Sequence, residues 1–233
     1  LLAAEKKRLG RFPKKVGFNL WPTEVIRQYG SDLASILWLL GVKPVWDERG
    51  IIVDLAVIPG AELGRPRIDV VIQAAGQFRD SFPDRMELID KAVRLAAVAN
   101  DAELAPVEVP RGRVMNGVGG YGTGLTGGVG KSGAYTDTKS LTDEYLERSG
   151  AVYTGAAWGA KVPKLYESAL KDVEAVSISN SSNTISALTL DHYFEYLGGM
   201  TMAIRDKHSQ SAAAYVADTR DADRTRTMTV ESA

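Results

Sequence analysis

Two rhythms of apolar residues alternate along the chain. In 31–41, SDLASILWLLG, the apolar positions Leu33, Ile36, Leu37 and Leu40 fall at i, i+3, i+4 and i+7, with Ser31 as N-cap and Gly41 past the end, which predicts a helix. PDRMELIDKAVRLAAVA (83–99) reads the same way, with acids in its first turn and Met86, Ile89, Val93 and Ala96 on one side. Between these lie β-rich runs. KVGFNLW (15–21) is closed by Pro22, and GIIVDLAVI (50–58) and RIDVVIQAA (67–75) are suited to strands buried on both faces. The second half repeats the alternation less cleanly. GRVMNGV predicts a strand, 136–150 a capped helix ending at Gly150, and 163–172 a helix. After these come a strand over 173–179, a helix over 190–207 and a last strand over 212–218. The Gly198-Gly199 pair inside that last helix implies a break or a close approach by a neighbouring element.

Strands separated by helical segments define an α/β protein with a mostly parallel, Rossmann-like sheet and helices on both faces. The prolines of DAELAPVEVPR (101–111) mark the one weak seam, dividing the chain into halves at 1–105 and 106–233. The second half holds the glycine-rich stretch.

The composition narrows the chemistry. Lys plus Arg is 28 against 29 Asp plus Glu, so no overall field favours nucleic acid or an anionic membrane. Cysteine is absent, which excludes disulfides, thiolate metal sites and a cysteine nucleophile and fits a cytoplasmic location. With only His192 and His208 present, a multi-histidine metal site is excluded too. No apolar run reaches the length of a membrane span. The start, LLAAEKKRLGRFPKK, has neither an initiator Met nor a signal-peptide pattern and reads as a cut within a longer protein.

GGYGTGLTGGVGKSG (119–133) imitates a nucleotide site twice. A P-loop ending at Gly130-Lys131-Ser132 needs its first glycine at 125, where Leu stands. Gly122, Gly124 and Gly127 satisfy the letters of a dinucleotide fingerprint, but the run continues too rich in glycine to open a helix. A glycine loop after a strand, able to line a flat or bulky ligand, is the better reading. A nucleotide-binding enzyme stays as an alternative.

Four polar stretches, 76–83, 116–124, 179–186 and 217–224, each follow a predicted strand. In an open parallel sheet ligands bind outside the carboxyl ends of the strands, so these stretches are expected to form one rim. They bring Arg79, Asp80 and Tyr121 to it, and Asp218 with them. Arg65 and Arg67, flanking a proline in LGRPRIDVV, have forks suited to ligand carboxylates or, equally, belong to a surface turn. In LDHYFEYLGG, Asp191 and Glu195 are helical neighbours around His192, a histidine between two carboxylates.

Several strings together, WLLGVKPVWDERG, LGRPRIDVVIQAAGQFRDSFP, GGYGTGL, DHYFEYLGGM and YVADTRDADRTRTM, resemble the large, tetrapyrrole-binding subunit of ATP-dependent metal chelatases. That family includes the cobaltochelatase of corrin synthesis and the magnesium chelatase of chlorophyll synthesis. The resemblance implies a part of a much longer subunit that holds a corrin or porphyrin while a divalent metal, cobalt favoured, is inserted. It implies ATP and Mg used on separate AAA+ partner subunits, no cofactor held by this chain and no turnover by it alone. On this reading Arg65, Arg67, Arg79 and Tyr121 bind the ring. Asp80, His192 and Glu195 relay protons, and Asp191 meets the metal. A docking domain that contacts the motor subunits is the alternative within the same complex. The sequence departs from the family pattern at Ala75-Gly76, where Ser-Gly is usual, and at Thr189-Leu190-Asp191, where an acidic triplet is usual.

Overall fold

The computed structural model describes residues 1–99, 113–115, 122–126, 137–153, 158–162, 164–182, 193–221 and 226–230. The first half supplies α1 (Leu2–Leu9), β1 (Lys15–Leu20), α2 (Pro22–Arg27), α3 (Ser31–Leu40), β2 (Val42–Trp46), β3 (Ile52–Val57), α4 (Gly60–Leu63), β4 (Asp69–Ala74), α5 (Gly76–Ser81) and α6 (Pro83–Val98). The second supplies β5 (Arg113–Met115), α7 (Thr138–Ser149), β6 (Ala151–Tyr153), β7 (Trp158–Lys161), α8 (Leu165–Leu170) and β8 (Ala175–Asn180). After β8 come a π-helical turn (Tyr193–Gly198), α9 (Gly199–His208), β9 (Ala213–Asp218) and β10 (Arg226–Val230).

Eight strands share one sheet in the order β10-β9-β8-β1-β4-β5-β6-β7. The five central strands, from β9 to β5, run parallel, while β10, β6 and β7 are added antiparallel at the flanks. The sheet is therefore mixed and mostly parallel, with helices on both faces, as the alternation of rhythms predicts. Both halves of the chain contribute to it, and β1 lies between β4 of the first and β8 of the second.

Strand alternation sorts the core into two layers. Val16, Phe18, Leu20, Val70, Ala74 and Tyr215 face the apolar stripes of α3 and α6, among them Ile36, Leu37, Leu40, Met86 and Ile89. Val71, Val176, Ile178, Ala214 and Val216 face the other way, onto Tyr145, Tyr166, Leu170, Met200 and Ile204. Gly17 belongs to this second face because a Cβ there would lie 2.5 Å from the Met200 sulfur. The missing side chain lets α9 settle on β1.

Two sequence expectations change. Residues 50–58 do not enter the main sheet. Ile52–Val57 pairs antiparallel with Val42–Trp46 as a separate hairpin on α3 and α6, with Val45, Trp46 and Val53 exposed. The run is β-branched throughout, and that pattern does not distinguish a doubly buried strand from an outlying one. The helix expected over 190–207 is described from residue 193, opening as the π-helical turn before Gly199. The close approach expected at Gly198-Gly199 is real. A Cβ on Gly199 would lie 2.7 Å from Tyr145 Cδ2 and 2.9 Å from Leu125 Cδ1.

Candidate functional site at the carboxyl edge of the sheet

Chain order reverses at β1. From there β4 and β5 build outward on one side, and β8 and β9 on the other. The space between the carboxyl ends of β1 and β8 is thus a topological switch point, the usual place for a ligand in an open parallel sheet.

Side chains from several elements converge there. Glu24, buried on α2 just after β1, accepts the Ser181 amide at 2.7 Å and so bridges the two loops. Asp32, buried in the first turn of α3, accepts the hydroxyl of Ser179 and the side-chain amide of Gln28. Both donors are neutral, and burial pushes the Asp32 carboxyl above its ordinary value, assisted by the Glu24 charge. The Tyr193 hydroxyl donates to the Ser179 carbonyl at 2.7 Å. Its pKa is raised by burial and then by the charges of Glu24, Asp32 and Asp218. Trp21, leaving β1, meets Tyr196 edge-on with ring centroids 5.4 Å apart.

The expected site residues separate into two groups. Arg79 and Asp80 follow β4 at the carboxyl edge, on a short helix where the sequence suggested a loop. The Arg79 guanidinium is buried, donates to Asp80 Oδ1 and Oδ2 at 2.6 and 2.9 Å and to the Tyr153 hydroxyl at 3.0 Å, and lies over the Tyr153 ring. The Asp80 bond, chiefly, holds it more basic than an ordinary arginine. Glu195, on the π-helical turn, faces the glycine loop. Its carboxylate accepts the Thr126 hydroxyl and, at 3.3 Å, the Thr126 amide. Glu195 thus docks residues 122–126 against the turn.

Arg65 and Arg67 precede β4 and stand at the opposite, amino end of the sheet. Both are buried. Arg65 donates to the carbonyls of Trp38, Leu39 and Pro66, the last two at 3.2 and 2.9 Å. Arg67 donates to the carbonyls of Leu40, Gly41 and Ile58 at 3.1, 2.7 and 2.7 Å. The two guanidiniums satisfy the carbonyl end of α3 and its exit, where helix carbonyls lack partners of their own. They belong neither to the ligand rim nor to a surface turn, being buried against carbonyls at the amino end, and they do not join Arg79. Tyr121, Asp191 and His192 lie outside the described residues.

Sequence reasoning passed over Asn19, Trp21, Glu24 and Asp32. Each sits inside or beside an apolar run that reads as core. The available signal was the position of Trp21 and Glu24 directly after the first strand, the same placement that drew attention to Arg79. Among the described residues no group of three or more His, Cys, Asp or Glu is arranged to hold a metal ion, and no helix is long and apolar enough to cross a membrane.

A mostly parallel α/β sheet with its polar groups gathered at a switch point defines a ligand-binding class rather than one protein. The comparisons are narrower. The CobN/Magnesium Chelatase family model matches residues 1–108 and 114–233. The chloroplastic magnesium-chelatase subunit ChlH of Oryza sativa subsp. japonica is 32% identical over 91% of this chain and 17% of its own length. The aerobic cobaltochelatase subunit CobN of a Sinorhizobium species is 30% identical over 88% of this chain and 18% of its own. The catalytic subunit of cobaltochelatase from Mycobacterium tuberculosis superposes with a TM-score of 0.89 at 31% identity, over 98% of this chain and 21% of that one. The chain belongs to the CobN/magnesium chelatase family. It spans about a fifth of the length of these relatives.

Proposed function

We propose that this chain is part of the tetrapyrrole-binding subunit of an ATP-dependent chelatase in the cytoplasm, and that its carboxyl edge borders the ring while a divalent metal, cobalt favoured, is inserted. The observation that carries the reading is the match to a cobaltochelatase catalytic subunit over 98% of the chain. The polar gathering at the switch point agrees with it. On this reading AAA+ partner subunits hydrolyse ATP, and the metal is a substrate.

Insertion exchanges two pyrrole N–H protons for one divalent cation, so the site has to hold peripheral carboxylates, attract a cation and accept protons. Arg79 is the cation for a ring carboxylate, and Trp21, partly exposed just after β1, offers aromatic surface at the same edge of the sheet. Glu24 and Asp32 make the edge electronegative, which draws the metal in, while Asp218 is already paired with Arg220. Asp80 and Glu195, with His192, take up protons, and Asp191 meets the metal. Arg65 and Arg67 are left out because they precede β4 and stand at the amino end of the sheet, away from the switch point.

A docking domain is the second reading, favoured by the exposed apolar residues Val45, Trp46, Ile51 and Val53 on the β2–β3 hairpin. Titration of a porphyrin into the purified chain separates the two. A shifted absorption band is expected for ring binding, and an unshifted band leaves docking.

A further inference from the structure

Asn19 is the penultimate residue of β1 and is 2% exposed, yet among the described residues neither its side-chain oxygen nor its nitrogen has a hydrogen-bond partner. The Ser181 Oγ, at the carboxyl end of β8, is likewise buried without a partner. A buried polar atom left unpaired costs about 1–3 kcal/mol, and few are retained without a role. Here two such atoms stand on β1 and a third just beyond the end of β8, on either side of the switch point.

The surroundings of the amide can be fixed from its neighbours. Residues 17, 19 and 21 share one face of β1. Gly17 lies against Met200, and Trp21 lies against Tyr196. The chain from 196 to 200 therefore runs opposite to β1 on the face that carries Asn19, with Gly198-Gly199 lying between these two contacts, at the junction of the π-helical turn and α9. Such turns recur at functional sites. No side chain descends from either glycine. A Cβ on Gly198 would meet nothing closer than 3.8 Å. Beside Asn19, in register on β4, is Gln73, whose amide is occupied. It donates to Ser149 Oγ at 3.0 Å and accepts from Tyr145 and, at 3.1 Å, from Tyr166. The polar network next door is thus in use, and Asn19 is the member with donors and acceptor to spare.

We propose that Asn19 reads a neutral planar group presenting both an acceptor and a donor, a primary carboxamide or a protonated carboxylic acid on a ring side chain, entering beneath Gly198-Gly199. An amide facing such a group makes two reciprocal hydrogen bonds. The neighbours on this face, Gln73, Ser149, Tyr145 and Tyr166, are neutral. The charges across the switch point, Glu24 and Asp32, are negative, so an ionised carboxylate is disfavoured there. The inference rests on the ring-binding reading above and adds a specificity-determining residue to it.

The test compares a porphyrin bearing two propionate side chains with its monoamide, which keeps one carboxylate for Arg79, titrated into the purified chain and into Asn19→Val. The parent is expected to bind the amide about tenfold more tightly than the propionate at neutral pH, and the variant to lose that preference. If the carboxylic acid is also accepted, the parent's affinity for the propionate ring rises as pH falls through the carboxyl range, and the variant's does not. The variant is expected to melt at or above the parent because an unpaired amide has gone. A variant melting well below the parent marks Asn19 as a structural group and overturns the assignment. Equal binding of both rings by the parent, or a preference retained by the variant, overturns this inference alone. Binding of neither ring overturns it together with the ring-binding reading.

Discussion

The Ser179 hydroxyl donates to the Asp32 carboxylate and ties the carboxyl end of β8 to the first turn of α3. Burial raises the Asp32 carboxyl, and the sign of the consequence is fixed. A carboxyl whose folded pKa lies above its unfolded value, about 3.9, stabilises the fold most below that value, and the contribution is lost as pH rises through the folded pKa. Asp32→Asn is therefore expected to melt a few degrees above the parent at about pH 8. The gap should close towards about pH 4. Thermal melts across this range check it, and a gap that ignores pH removes the carboxylate as its cause.

Arg79 is buried and donates to both oxygens of Asp80 and to the Tyr153 hydroxyl. Arg79→Ala is expected to cost about 2–4 kcal/mol of stability, because it strips a charged partner from groups arranged around it. It should also weaken porphyrin binding about tenfold if the guanidinium holds a ring carboxylate. Tyr153→Phe loses only the hydroxyl and should cost about 1 kcal/mol with ring affinity unchanged. Unchanged affinity in Arg79→Ala, measured at a temperature where the variant is folded, excludes Arg79 from ring binding.

Arg67 makes the opposite prediction. Its three carbonyl contacts lie at the amino end of the sheet. Arg67→Ala should lower stability by about 2–4 kcal/mol, through lost charged hydrogen bonds and buried carbonyls left bare. Arg67→Lys should recover only part of this, since a single ammonium does not reproduce the fork. Denaturant unfolding gives the cost, and porphyrin titration of the folded variant should match the parent.

Gly17 and Gly199 differ in what stands against them. A methyl on Gly199 meets the Tyr145 ring and Leu125 in a packed layer, so Gly199→Ala should cost about 1–3 kcal/mol. Gly17→Ala meets chiefly the Met200 thioether, an unbranched side chain with several rotors, and should cost less. Paired urea denaturation curves test the order, which reverses if Met200 is the more rigid neighbour.

The sheet was legible where apolar runs had clear stops. Pro22 closes the run that became β1, and Gly41 ends α3 with the left-handed φ of 69° that glycine takes without penalty. The hairpin was misread because β-branched residues at 50–58 look alike in a buried or an outlying strand. The position of Arg79 at the carboxyl edge was legible, because it follows a strand. The guanidiniums of Arg65 and Arg67 were not legible, because a fork that suits a carboxylate also suits a row of helix carbonyls, and only the position of α3 decides. Asn19 was hidden inside an apolar strand, where sequence carries no mark that a neighbouring amide is already taken.

β1 has a neighbour on each edge, β4 about fifty positions downstream and β8 about a hundred and sixty. During synthesis the first of these pairings becomes available early, but the second waits until about a hundred and sixty further residues have been made. Until then the β1 edge that β8 will occupy is an open ladder of main-chain groups. A stalled or truncated product ending before Ala175 is left with that ladder bare, and such products should be the ones that precipitate or recruit holdases.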